Sequence, residues 1–351
     1  MTGKQFIRIV CLFFMERIAV LGTGKMAAEL LSFFIAQECA IALWGRKPER
    51  LKELSDAAGR KIERQVRAGI MTPERGEMLS ESLLFSTELS EVIAGRSIII
   101  ESVKEELSVK EALYKRSTPH AGPDAIWCTN SSSILPQLIH HNTDSSLPLA
   151  GLHFFFPLRV KEVVEFIVPE GFPTENIQRI KEFMERCGKK VFMQEAKSAF
   201  LLNRIWLGVQ IEALHLLHKG HTAEEIDEVV KSELAAHGVF EMMDAVGFDT
   251  LLAAVENYKT HFLLPDDPEI LLEELRTRIL DNQFGQKNGT GFYSYIKGRR
   301  QHVNEINVDA DNYERIKRQL LGVVDSTLLF YQKQTNLNKE DLYEYFRDYA
   351  G

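Results

Sequence analysis

Apolar residues fall in short unbroken runs through the first half of the chain and at helical spacing through the second. Residues 18–21 are one such run, ending in a glycine-rich turn; residues 26–36 follow with an apolar helical pattern, and residues 40–44 are a second run. Strand, turn, helix and strand in that order make a βαβ unit. Residues 46–80 are charged and helical, with Thr72 suited to an N-cap and Pro73 to the first turn of the helix after it. Further strand-length runs lie at 97–101, 125–129, 149–155 and 163–168. Such runs alternating with helical stretches predict an α/β Rossmann-type doubly wound sheet.

After residue 198 the pattern becomes helical throughout. Residues 200–218 read as one long helix, Thr222 to Glu225 as the capping box of the next, and 239–280 as more helix. Gly289-Thr-Gly-Phe-Tyr293 marks a closing turn, and residues 309–350 add two or three amphipathic helices split near Asn336. The expected organisation is an N-terminal extension at 1–14, a dinucleotide-binding domain at 15–198, an all-helical domain at 199–295 and a helical C-terminal extension at 296–351. Residues 7–15 are apolar but too short to span a bilayer, and no small-residue cleavage site follows them. Met15 is the expected natural start, with residues 1–14 as an extra strand or loose arm the alternative.

The 351 residues suffice for two domains, and the net charge of -8 argues against nucleic acid as the main partner. Cys11, Cys39, Cys128 and Cys187 have neither metal nor disulfide spacing, which suits a reducing cytoplasm. His215, His218 and His221 share helical spacing with Glu212. Ahead of Gly220 they suit a helix C-terminus, where imidazolium complements the dipole, and no metal site is expected.

Gly22-x-Gly24-x-x-Ala27 stands between the first strand and its helix. Two glycines there permit a tight turn and close approach of the backbone to a pyrophosphate, which the helix N-terminus then faces. NAD enzymes usually carry an acid at the end of the second strand for the ribose 2′-hydroxyl. This chain reads Trp44-Gly45-Arg46-Lys47 instead. With no carboxylate to repel a 2′-phosphate, and Arg46 and Lys47 to pair with it, NADP(H) is expected in preference to NAD(H).

The chemistry centres on GLHFFFPLRVKEVVEFI, where His153 precedes Glu165 by twelve residues. A neutral histidine oriented by a carboxylate is a general base poised near neutral pH. Upstream lies a serine-rich turn, Asn130 to Ser133; downstream lies FLLNR, with Asn203. With the GTGKMA turn, these segments resemble the 3-hydroxyacyl-CoA dehydrogenase family over about residues 15–295. The dehydrogenase part of bacterial fatty-acid oxidation complexes is the most similar in its turn, GQKNGTGFYSY. The resemblance implies that His153 is the catalytic base, Glu165 its partner, Ser132 a hydrogen bond to the substrate oxygen and Asn203 the residue completing the site. It implies that Glu105 and Lys110 lie near the nicotinamide ribose and that Asn130 contacts the cofactor. It further implies interconversion of a 3-hydroxyacyl-CoA and a 3-ketoacyl-CoA, an acyl-CoA as the small-molecule partner, and a homodimer formed through the helical domain.

Taken singly, His153 reads as a core histidine, Glu165 as an edge charge and Asn203 as a helix residue; jointly, their order favours a site. The basic stretch Arg60, Lys61, Arg64 and Arg67 reads equally as a contact for CoA phosphates or as a solvated helix face paired with Glu53 and Glu63. Three departures touch the acyl-binding side. Phe156 replaces the asparagine of His-Phe-Phe-Asn-Pro, Ser198-Ala199 replaces Pro-Gly, and Gly238-Val239-Phe240-Glu241 replaces Gly-Pro-Phe-Glu. Two other readings therefore stand beside the first. One is a dehydrogenase of a non-CoA hydroxy acid, which Phe156 permits. The other is a non-catalytic cofactor-binding interaction protein, against which the intact polar set argues.

Overall fold

A computed structural model of the chain describes residues 16–141, 143, 147–196, 199–262, 264, 266–301, 308–334 and 338–350. The extension expected at 1–14 lies outside the described residues, as does Ser198. The chain forms two compact units that meet in sequence between Ala199 and Phe200.

The first unit runs β1 (Arg17–Leu21), α1 (Lys25–Ala36), β2 (Ala40–Trp44), α2 (Pro48–Arg67), α3 (Pro73–Ser82), β3 (Leu84–Ser86), α4 (Leu89–Ile93) and β4 (Ile98–Glu101). It continues with α5 (Leu107–Ser117), β5 (Ile126–Thr129), α6 (Pro136–His141), β6 (Leu149–Phe154), β7 (Val163–Val168), α7 (Thr174–Arg186) and β8 (Lys190–Glu195). The eight strands form one sheet in the order β3-β2-β1-β4-β5-β6-β7-β8. Neighbours are parallel throughout except β6 and β7.

The apolar runs that mark the strands are continuous because both faces of the sheet are covered, as parallel sheets require. Ile18, Val20, Ile41, Leu43, Ile98 and Ile100 pack with residues of α1, α2 and α7. The alternate residues Ala19, Leu21, Ala42, Trp44 and Ile99 pack with residues of α4, α5 and α6. Each fully buried large apolar side chain contributes about 1.5–3 kcal/mol. Strand order reverses at β1, so the carboxyl ends of β1 and β4 open the crevice where such sheets bind ligands.

The second unit is helical: α8 (Leu201–His218), α9 (Ala223–Glu233), α10 (Val239–Val246), α11 (Phe248–His261) and α12 (Glu269–Leu280). A small hairpin follows, β9 (Tyr295–Ile296) and β10 (Arg299–Arg300), then α13 (Ala310–Gln334) and α14 (Lys339–Ala350). Thr222 and Glu225 form the capping box that opens α9. The stretch expected as more helix at 239–280 divides into three helices. Gly247, at φ 89°, breaks it after α10, and α11 ends at His261. Two buried acids organise this unit. Asp227 accepts from the amides of Phe240 and Glu241 at the start of α10 and from the Tyr293 hydroxyl at 2.8, 3.1 and 2.8 Å. Asp244 accepts from the amides of Phe292 and Tyr293 and from the Tyr295 hydroxyl. A Cβ on Gly291 would lie 2.0 Å from Asp244 Oδ1, so the Gly-Phe-Tyr turn needs glycine there. Arg204, 1% exposed, lies over the rings of Phe262 and Tyr331, which ties α13 to α8. No helix among the described residues is long and apolar enough to cross a membrane.

Candidate active site

The glycine turn joins β1 to α1 at the reversal point. Gly22 has φ 141°, and a Cβ there would lie 2.2 Å from the Ser102 carbonyl oxygen, so only glycine fits. A Cβ on Gly24 would meet nothing within 4 Å, leaving the backbone open to a ligand. Ala27 is fully buried and lets α1 pack against the sheet. The first turn of α1 holds no acidic residue and no side chain caps it. Open amides at the positive end of a helix fit a dinucleotide pyrophosphate.

Gly45 follows β2. A Cβ there would lie 2.3 Å from Thr23 Cγ2 and 3.1 Å from Leu51 Cδ2, so a side chain at this position must displace the Thr23 methyl, a packing reason for glycine beside any charge argument. Arg46 is exposed and Lys47 occupies the N-cap position of α2; among the described residues neither forms an ion pair. Arg50 instead reaches back to the Thr23 carbonyl and pairs with Glu53 at 2.6 Å.

A buried polar cluster lies at the ends of β4 and β5. Glu101, the last residue of β4, accepts from Lys110 Nζ at 2.9 and 3.0 Å, Thr129 Oγ1 at 2.7 Å and the Val103 amide at 2.6 Å. Lys110 also reaches Glu105 at 3.1 Å. Glu105 Oε1 gathers the serine turn, accepting the amides of Ser132 and Ser133 at 2.9 and 3.0 Å and the hydroxyls of Ser131 and Ser133. Burial pulls the Glu105 carboxyl up, but Lys110 and the serine hydroxyls outweigh it and hold it below the usual glutamate range. Burial likewise opposes the Lys110 ammonium, and the two glutamates hold it above the usual lysine range. Lys110 is 1% exposed with its ammonium closed in by carboxylates.

Asn130 continues from β5, and its Oδ1 accepts from the Phe154 amide at 2.9 Å, tying the serine turn to β6. His153 lies opposite Glu165 in the antiparallel register of β6 and β7. Facing residues of such a pair share a sheet face. The twelve-residue spacing thereby becomes a contact: His153 Nδ1 lies 2.7 Å from Glu165 Oε2. Gln194 Nε2, on β8, donates to Glu165 Oε1 at 2.8 Å, so both oxygens of this buried carboxylate are engaged. With Nδ1 donating to the carboxylate, Nε2 keeps a lone pair and can take a proton. The His153 ring packs on Phe155 at 4.4 Å.

The first unit thus gathers Ser132, Glu105, Lys110 and Asn130 around one turn and pairs His153 with Glu165. Asn203 belongs to the second unit, on the first turn of α8, where it donates to the Tyr258 hydroxyl at 3.0 Å. Glu101, Thr129 and Gln194 were not singled out from the sequence. The available signals were a lone acid closing the run IIIE and a lone amide within VFMQ. In the basic stretch of α2, Arg67 pairs with Glu63, Lys61 reaches Ser32 on α1, and Arg64 bonds the Arg60 carbonyl.

Comparison with known proteins bears on this site. Residues 17–196 match the family model described as 3-hydroxyacyl-CoA dehydrogenase, NAD binding domain. Residues 200–295 match that of the 3-hydroxyacyl-CoA dehydrogenase C-terminal domain. The chain is 27% identical over 291 residues to the mitochondrial hydroxyacyl-coenzyme A dehydrogenase of Homo sapiens, covering 80% of this chain and 91% of that protein. It is 28% identical over 286 residues to the 3-hydroxybutyryl-CoA dehydrogenase of Bradyrhizobium diazoefficiens, covering 80% and 95%. Among solved structures, FadB2 of M. tuberculosis superposes with a TM-score of 0.70 at 26% identity, covering 80% of this chain and 99% of that one. With two models of one family matched in order along its length, the chain belongs to the 3-hydroxyacyl-CoA dehydrogenase family.

Proposed function

We propose that the protein interconverts a 3-hydroxyacyl-CoA and a 3-ketoacyl-CoA with a nicotinamide cofactor. The observation that carries this is the buried His153–Glu165 pair, whose imidazole keeps one nitrogen for proton transfer. Gly22, Gly24 and Ala27 hold the dinucleotide at the glycine turn, which would supply the nicotinamide that accepts or donates the hydride. Glu165 holds His153 in one tautomer and stabilises the imidazolium. His153 Nε2 takes the C3 hydroxyl proton in oxidation and returns it in reduction. Ser132 hydrogen-bonds the C3 oxygen as its carbonyl character changes, and Asn203 is the further residue that the family resemblance assigns to this chemistry. Glu105 and Asn130 set the serine turn beside the cofactor, and Lys110 positions Glu105.

NADP(H) is the favoured cofactor in this reading. Its support is the pair Arg46 and Lys47 beyond β2 and the absence of an acid at Gly45; the packing need for glycine at Gly45 offers a competing reason for that absence. A homodimer and a cytoplasmic setting complete the proposal, the latter supported by the free, buried Cys39, Cys128 and Cys187. The direct test is oxidation of NADPH and of NADH by the purified protein with acetoacetyl-CoA. Turnover with a higher kcat/KM for NADPH is expected. A clear NADH preference would overturn the Arg46 argument alone. Cofactor binding without any turnover would overturn the CoA-thioester reading and favour a non-CoA hydroxy acid.

A further inference from the structure

Lys25 follows Gly24 and opens α1, and its ammonium lies 3.7 Å from the centroid of the Phe156 ring. Phe156 stands three residues after His153 and is 46% exposed, so it is not a core side chain. Instead it holds Lys25. A cation over an aromatic face is attracted by the ring quadrupole, which restricts an otherwise freely ranging side chain. Among the described residues, no carboxylate forms an ion pair with Lys25. An ammonium carries three donors, and the ring engages one side of it. The others face outward beside the uncapped first turn of α1 and the open approach at Gly24.

We propose that Lys25, held over Phe156, is an affinity-determining residue of the cofactor site, its ammonium donating to the pyrophosphate of the nicotinamide dinucleotide. This rests on the cofactor reading above. Acyl-CoA also carries a pyrophosphate, but Lys25 adjoins Gly24, so the dinucleotide is its partner. The aromatic residue at 156 then serves cofactor affinity and joins the segment after the catalytic histidine to the phosphate end of the cofactor.

The test titrates NADH and NADPH, followed by fluorescence of the reduced cofactor, into the full-length protein without acyl-CoA. Lys25→Met should raise Kd about tenfold for both cofactors, the scale of one charge-assisted hydrogen bond. Phe156→Leu should raise it about threefold, the scale of an exposed cation–π contact. The double variant should bind no more weakly than Lys25→Met, because the ring acts only through the ammonium. Both side chains are exposed, and unchanged thermal midpoints should accompany these shifts. An unchanged Kd in Lys25→Met, beside a wild type that binds, overturns the inference. So does an effect confined to the KM of acetoacetyl-CoA, which would assign the ammonium to the other pyrophosphate. An additive double variant overturns the holding role of Phe156. A wild type that binds neither cofactor overturns the underlying cofactor reading as well.

Discussion

Glu165→Gln changes one atom of the proposed catalytic pair and leaves its volume intact. In the native site Oε2 faces His153 Nδ1 at 2.7 Å and Oε1 accepts from Gln194 Nε2 at 2.8 Å. The side chain is fully buried, so water cannot substitute for either partner. An amide offers only one acceptor. If its oxygen faces His153, its nitrogen meets Gln194, whose amide must turn to present its unpartnered Oε1. If its nitrogen faces His153, the ring must adopt the other tautomer, with Nε2 protonated and unable to accept. Either arrangement also removes the carboxylate charge. Unit charges about 4 Å apart interact by about 4 kcal/mol at an effective dielectric constant of about 20. That attraction arises only once the imidazole holds the proton, so its loss falls on the transition state. Its loss slows turnover by about a thousandfold, at about 1.4 kcal/mol per factor of ten. The assay is steady-state reduction of acetoacetyl-CoA at saturating cofactor, with the Kd of reduced cofactor measured in parallel. We expect kcat to fall by about three orders of magnitude and Kd to stay within about twofold. A folded, cofactor-binding variant with kcat within about tenfold of wild type would refute the assignment.

Three further outcomes follow from the same geometry. Gln194→Leu removes the amide donor that Glu165 Oε1 accepts at 2.8 Å, which should cost about 1–3 kcal/mol in urea unfolding while lowering kcat far less than Glu165→Gln. Gly22→Ala places a Cβ against the Ser102 carbonyl at a backbone angle that alanine avoids. Reduced-cofactor titration should show lost binding, and unfolding a loss of about 1–3 kcal/mol. Glu105 is held below its ordinary value of 4.5, so its contribution to stability is complete above that value and is lost as pH falls below it. The thermal midpoint of wild type should therefore fall more steeply than that of Glu105→Gln between about pH 5 and about pH 3; parallel slopes would contradict the role of Glu105 in the serine turn.

The central strands are legible in the sequence because burial on both faces demands continuous apolar runs, as in IAVL of β1 and IIIE of β4. The edge strands are not. β3 is three half-buried residues, and β8 exposes half of its six, so neither carries the buried run that marks an inner strand. His153 and Glu165 are legible as a pair through the family resemblance, and the antiparallel register of β6 and β7 turns their twelve-residue spacing into a contact. Glu101 escapes such reading. Its partners Lys110 and Thr129 lie 9 and 28 residues away; the adjacency of β4 and β5 brings Thr129 to it, and the helix α5 brings Lys110. Lys110 escapes it too: only folding shows that its ammonium is closed in by two carboxylates, Glu101 and Glu105.

Isotope transfer tests the central claim most directly. Reduced cofactor deuterated at the transferring position of the nicotinamide is mixed with acetoacetyl-CoA and the protein, and the product is read by mass spectrometry. The account predicts 3-hydroxybutyryl-CoA carrying one deuterium at C3 with wild type, and a yield lower by orders of magnitude with His153→Ala. Cofactor that binds without passing deuterium to C3, or equal transfer by His153→Ala, would contradict it.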